Sequence, residues 1–185
     1  MNKSLFRSFE VPIIGLAFLV TLMVVLREHF LGGVVTHHLL AQKDLPGFSN
    51  WWGLISIPML TLISLKAIFW REKRAKSLGI FTEKFTSSVV YSFLGALAFG
   101  IFCSLLYEFD FIELLKYALF LPILLAIFLP VHRFENLLGF AIGMQVSFGG
   151  VLPIIIGSVL LGLSFFVYQV IHRGGLYLIG TFRRS

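Results

Sequence analysis

Residues 136–171 read N-L-L-G-F-A-I-G-M-Q-V-S-F-G-G-V-L-P-I-I-I-G-S-V-L-L-G-L-S-F-F-V-Y-Q-V-I, 36 residues without one Asp, Glu, Lys or Arg. A helix that crosses a bilayer takes about 20 apolar residues. The tract is therefore too long for one crossing and short for two. It divides most naturally at Phe148-Gly149-Gly150, with Pro153 near the start of the following helix. That division gives a short fifth span over 134–148 and a sixth over 151–171. Gly139, Gly143 and Ser147 recur every four residues on one face of the shorter helix, the spacing that lets membrane helices approach closely. Left undivided, the tract yields five spans and exports Arg173, Arg183 and Arg184, against the positive-inside rule.

The rest of the chain agrees with lipid as the solvent. Its 185 residues are 58% hydrophobic and 13% charged, with 21 Phe and a mean hydropathy of +0.94. Soluble domains are about 25% charged, so a soluble fold is excluded. A single cysteine, Cys103, rules out an intrachain disulfide and reads as a small buried hydrophobe. The net charge of +6 is explained by membrane orientation, with no nucleic-acid partner.

Four more spans precede the tract, over 10–31, 51–70, 87–107 and 113–130. The first follows a short basic leader with Lys3 and Arg7. It ends in L-R-E-H without a small-residue cleavage pattern, so it reads as a retained span. Gly32-Gly33 closes it. Val34, Val35, Leu39 and Leu40 suggest a short interfacial helix over 34–42, and Pro46-Gly47 turns the chain. Ser49 and Asn50 are expected N-caps of the second span. Trp51 and Trp52 open that span and Trp70 closes it, about 27 Å apart on a helix, so the tryptophans mark both interfaces. Lys66, one turn before Trp70, can snorkel to the headgroups. Residues 71–84 read as a basic loop, Glu108, Asp110 and Glu113 as an acidic turn, and Pro122 as a kink in the fourth span.

The expected fold class is thus all-α: one transmembrane domain, 1–185, a bundle of six helices with both termini cytoplasmic. Counting Lys and Arg places twelve on the cytoplasmic side and three, Arg27, Lys43 and Lys116, outside. The expected location is a membrane, with the bacterial inner membrane as the reading.

This layout gathers the polar residues on the outer face, chiefly in 27–52. His29, His37, His38, Asp44, Glu108 and Asp110, with Glu28 nearby, supply the imidazole and carboxylate types that hold a divalent metal. The spacing H-x7-H-H is not a diagnostic ligand pattern. Gln145 and Ser147 near the top of the last hairpin, with Trp51 and Trp52, are the expected substrate-binding residues. His132 and His172 fall at similar depth, but both lie in the headgroup zone beside arginines, which disfavours haem. The span interiors lack Asp, Glu and Arg, which counts against an ion-coupled pump and leaves room for a neutral or amphipathic substrate. The basic patch from Arg71 to Lys76 can touch anionic lipids. Nucleophile-elbow, phosphate-loop and paired-cysteine motifs are absent.

The expectation is a small transport or solute-binding membrane component with an outward-facing polar site. The rivals are a metal-dependent membrane enzyme and a structural subunit that binds a protein partner or a second copy. In span count and length the layout is similar to the membrane-embedded substrate-binding subunits of bacterial vitamin transporters. No motif carries that likeness, and no residue role is taken from it.

Overall fold

The computed structural model describes residues 9–38, 44, 46–81 and 84–182, with side chains described except at 38 and 172–182. Lys3, Arg7, Leu39, Leu40, Lys43, Arg183 and Arg184 lie outside the described residues, as do the side chains of His38, His172 and Arg173. The elements are α1 (Glu10–Phe30), β1 (Thr36–His38), β2 (Gly47–Ser49), a 3-10 turn (Asn50–Trp52), α2 (Gly53–Ser77), α3 (Lys84–Glu108), α4 (Ile112–Ala118), α5 (Leu121–Leu125), α6 (Phe134–Phe148) and α7 (Leu152–Phe182). Four stretches among the described residues are long and apolar enough to cross a membrane: Glu10–Phe30, Asn50–Ser77, Lys84–Glu108 and Leu152–Ile171. Large apolar side chains stand exposed along them, among them Val11, Met23, Ile55, Met59, Tyr91 and Phe166. Lipid contact is the physical setting that such surfaces require.

The shortest of the long helices is the pillar. Ten of the fifteen residues of α6 are buried, whereas 11% of the apolar stretch of α7 is. The reason lies in its small residues. A methyl group added at Gly143 would sit 2.5 Å from the Leu97 carbonyl oxygen, and one at Gly100 would sit 2.5 Å from the Phe140 carbonyl oxygen. Gly139 meets the Phe93 backbone in the same way. Ala96, Gly100 and Ser104 on α3 thus face Gly139 and Gly143 on α6, small-residue ridges at four-residue spacing. The Ser104 hydroxyl donates to the Gly143 carbonyl at 3.1 Å, adding a polar bond to the contact.

Contacts on both helices climb in number together, from Phe93 beside Gly139 to Leu97 and Ile101 beside Gly143, so α3 and α6 run parallel. The intervening chain must therefore return to the level where α3 began. Residues 112–129 do this as one bent helical path. Leu119 N–H donates to Leu115 O, Phe120 N–H to Tyr117 O and Leu124 N–H to Phe120 O, and turns continue to Leu129. Pro122 has no N–H to give to Ala118, so the path breaks between α4 and α5 as its sequence suggests. The Ser164 hydroxyl of α7 donates to the Pro122 carbonyl at 3.3 Å. Backbone groups freed by a break inside a helix bundle need such internal partners.

Three expectations are corrected. The interfacial helix over 34–42 is replaced by β1, which pairs antiparallel with β2 (Thr36↔Ser49, His37↔Phe48, His38↔Gly47). The β-branched run Val34-Val35-Thr36 favours an extended strand over a helix. The basic loop over 71–84 begins as helix, because α2 continues to Ser77. Straight-chain residues and the Glu72–Lys76 pair at 2.6 Å, one turn apart, sustain it. The tail after 171 is likewise helical to Phe182.

Candidate functional site

The bundle has two polar ends. At the hairpin end, Glu28 stands in the last turn of α1 and is only 8% exposed. A carboxylate is disfavoured there by the helix dipole, and among the described residues no cation lies within ion-pair distance of it. Neutral donors hold it instead. Asn50 Nδ2–H donates to Oε1 at 2.7 Å, and the Val35 backbone N–H donates to Oε2 at 3.1 Å. Asn50 Oδ1 in turn accepts the Gly150 N–H at 3.0 Å. These bonds admit one orientation of the Asn50 amide. The expected N-cap role of Ser49 and Asn50 is corrected accordingly: neither the 3-10 turn nor α2 has a side-chain cap bond, and Asn50 is spent on Glu28 and the glycine hairpin.

The glycines are required. Gly149 has φ +72°, and a methyl on it would meet His37 Cδ2 at 2.9 Å. A methyl on Gly150 would strike the Gly53 backbone. His37 is half-buried, and its Nε2 has no partner among the described residues. Burial lowers its pKa and the Glu28 charge partly opposes this, so the ring is neutral at pH 7. One turn deeper, Gln145 meets Thr21 on α1. The Thr21 oxygen lies 2.9 Å from the Ala17 carbonyl and 3.1 Å from the Gln145 amide oxygen. One hydroxyl proton cannot serve both acceptors. The consistent network has Thr21 donating to Ala17 and accepting from a reversed Gln145 amide.

The other expected residues are distributed as follows. His29 is exposed, its ring edge-on to Phe30 at 5.7 Å. Asp44, Glu108 and Asp110 are exposed. Tyr107 packs on Phe148 with ring centroids 4.5 Å apart, which places the acidic turn at the hairpin end, on the same side as 27–52. Even so, among the described residues no three His, Cys, Asp or Glu side chains come together. Trp51 and Trp52 face outward, 49% and 59% exposed. Gln145 and Ser147 are buried in helix packing, Ser147 without a partner for its hydroxyl among the described residues. The hairpin end is a hydrogen-bonded knot that fastens α1, the small sheet and the 148–151 turn to one another.

The open space lies toward the opposite, basic end. A cleft of about 590 Å³ is walled by Ser92, Gly95 and Phe99 of α3, Leu121 and Leu125 of α5, Phe140 of α6, and Gly157 and Leu161 of α7. That volume is within the range of small-molecule sites, about 300–1,000 Å³. Its walls are apolar apart from serines, and Arg133 and Asn136 stand at one end. A second hollow of about 390 Å³ adjoins it, lined by Trp70, Arg71, His132, Arg133 and Tyr168. Pro130 and Arg133 line both.

Arg71 Nη2 bonds Glu135 Oε1 at 2.6 Å, and Glu135 is 2% exposed, its Oε2 without a partner among the described residues. Arg133 is half-buried, with no carboxylate at ion-pair distance among the described residues. Burial and then the Arg71 charge disfavour its protonated form, with Glu135 and Tyr168 opposing them. A guanidinium keeps its proton regardless. His132 is held against Phe165 and Tyr168, with centroids 5.3 and 4.9 Å away, and its buried Nδ1 has no partner among the described residues. Burial lowers its pKa first and the two arginines lower it further against Glu135, leaving a neutral ring.

The sequence alone places His132 in the headgroup zone beside arginines. The joint role of His132 and Arg133 as the rim of a cleft depends on the bend at Pro122 and on α7, neither of which is close in sequence. Comparison with protein-family models, with curated proteins and with solved structures gave no match for this chain.

Proposed function

We propose that the chain is a six-crossing membrane component that binds an amphipathic small molecule through the lateral cleft between α3, α5 and α7. The parallel run of α3 and α6 supports six crossings, since it requires 112–129 to traverse the layer between them. The lysine and arginine count supports a cytoplasmic basic end. The observation that carries the binding reading is the 590 Å³ apolar cleft, with a half-buried arginine at its mouth. An apolar body suits the walls and a polar end suits the mouth. The hairpin-end knot, in which Glu28, Val35, Asn50 and Gly150 bond one another, is best read as the clamp that holds the bundle together around α6. The reading keeps the expected solute-binding role and moves the site from the outer rim to the inner half of the bundle.

Gly95 gives a clean test, because it lines the cleft and a Cβ there meets nothing within 4 Å. Gly95→Leu should fill the cleft without disturbing the fold, and should not weaken the helix, since Gly is about 1 kcal/mol worse than Leu at helix positions. Purified wild-type protein in a mild detergent should be thermally stabilised by members of a panel of single-chain amphiphiles. Gly95→Leu should unfold at the same or a higher temperature without ligand and lose that response. No response from the wild type to any of the panel, or an equal response from the variant, contradicts the reading.

A further inference from the structure

The charges at the mouth of the cleft do not balance. Arg71 and Arg133 bring two positive charges to one carboxylate, Glu135, and that carboxylate bonds Arg71. Arg133 is left half-buried, without an acid at ion-pair distance among the described residues and with a second guanidinium as a neighbour. Half-buried charge without a counter-charge is costly, and an anion brought to this place relieves the cost. The hollow of about 390 Å³ beside Arg133 has room for it, and its lining suits one: Arg71, the neutral His132 ring, whose Nδ1 has no partner among the described residues, and Trp70 at the interface. The same arginine closes the basic end of the apolar cleft. A ligand that occupied both spaces would be anionic at one end and a hydrocarbon beyond it, with Arg133 at the junction.

We propose that the cleft takes a phosphate-bearing membrane lipid from the leaflet at the basic end, one chain lying along α3 and α7 and the phosphate seated on Arg133 beside His132. The proposal rests on the amphiphile-binding reading and adds the headgroup chemistry. Guanidinium groups bind phosphate oxygens through paired N–H donors, geometry that a lysine does not reproduce. The neutral imidazole can add one more bond. Glu135 keeps Arg71 in place and, by its own charge, turns the phosphate toward Arg133.

The test compares two probes that share one chain and differ in the phosphate: an oleoyl lysophosphatidic acid and the matching monooleoylglycerol. Their affinities are read from thermal stabilisation of the full chain in neutral detergent, with inorganic phosphate alone as a third arm. The wild type should bind the phosphate-bearing lipid about tenfold or more tightly than the neutral one, the usual worth of a charge-assisted hydrogen bond. Inorganic phosphate should give no shift at millimolar concentration. Arg133→Gln should bring the two lipids to the same affinity, and Arg133→Lys should retain part of the preference while guarding against a folding defect in the first variant. Equal affinity for both lipids in the wild type overturns the proposal and leaves the amphiphile reading standing. A preference that survives in Arg133→Gln, or a shift by inorganic phosphate equal to that by the lipid, also overturns it. Failure of both lipids to bind sinks the underlying reading itself.

Discussion

Gly143→Val is expected to force α3 and α6 apart and to destabilise the protein more than any other single methyl-scale change along this interface. Its added Cβ would lie 2.5 Å from the Leu97 carbonyl oxygen, 2.8 Å from the Ile101 nitrogen and 2.9 Å from the Gly100 carbonyl carbon. All three are backbone atoms, so no rotamer change can relieve the contact. Overpacking in cores costs about 1–3 kcal/mol and sometimes more. Here the upper end applies, because the Ser104–Gly143 hydrogen bond is lost along with the close approach. Thermal unfolding in detergent is the measurement, with Gly162→Ala as the control, since a methyl at Gly162 meets nothing within 4 Å. The control should unfold at the same or a slightly higher temperature than the wild type, because Ala is the better helix former. A Gly143→Val protein as stable as the control would mean that the two helices are not in backbone contact.

Asn50→Asp is expected to be comparably damaging at neutral pH, for an electrostatic reason. It sets a second carboxylate at the 2.7 Å contact with Glu28, where the native amide donates. Leaving a buried charge uncompensated costs about 3–5 kcal/mol. Two carboxylates this close share a proton, so the folded pair titrates above the ordinary carboxylate range. The folded state then binds more protons than the unfolded one, and the deficit should shrink as the pH falls toward 5. Glu28→Gln alone is also harmful, because its amide and the Asn50 amide present donors to each other. The double variant Glu28→Gln/Asn50→Asp exchanges the roles. The amide introduced on α1 would donate to the carboxylate introduced in the 3-10 turn and accept from the Val35 N–H, while that carboxylate accepts from the Gly150 N–H. The double variant should recover most of the lost stability, with a coupling of about 2–3 kcal/mol in the double-mutant cycle. Additive losses in the double variant would show that the three-bond knot does not hold the hairpin.

How much of this was legible follows from the range of each interaction. The division at Phe148-Gly149-Gly150 and the close-packing role of Gly139 and Gly143 could be read directly, because apolar length and small-residue spacing are local. So could the break at Pro122, which follows from a missing N–H. The hairpin at 36–49 was misread because Val34, Val35, Leu39 and Leu40 give an apolar pattern too short to distinguish helix from strand. Asn50 was misassigned for a different reason. An asparagine ahead of a helix ordinarily caps it, and only the arrival of Glu28 from α1 and Gly150 from the last hairpin redirects its amide. The imidazoles and acids of 27–52 and 108–113 do share one end of the molecule, yet exposure at His29, Asp44, Glu108 and Asp110 keeps them from converging. The cleft was invisible in sequence because its walls come from four helices, and its charge imbalance from Arg71 of α2 meeting Arg133 and Glu135 at the start of α6.

The most direct measurement is residue-level mapping of where a lipid chain resides. A single-chain phospholipid with a photoreactive group in mid-chain is equilibrated with the protein in bilayers and irradiated, and the adducts are located by peptide mass spectrometry. Adducts concentrated at Ser92, Gly95, Leu125 and Leu161, and displaced by excess unlabelled lipid, are the expected result. Adducts spread without displacement over lipid-facing positions such as Val11, Leu19 and Met23 of α1, with the cleft residues unlabelled, would contradict it.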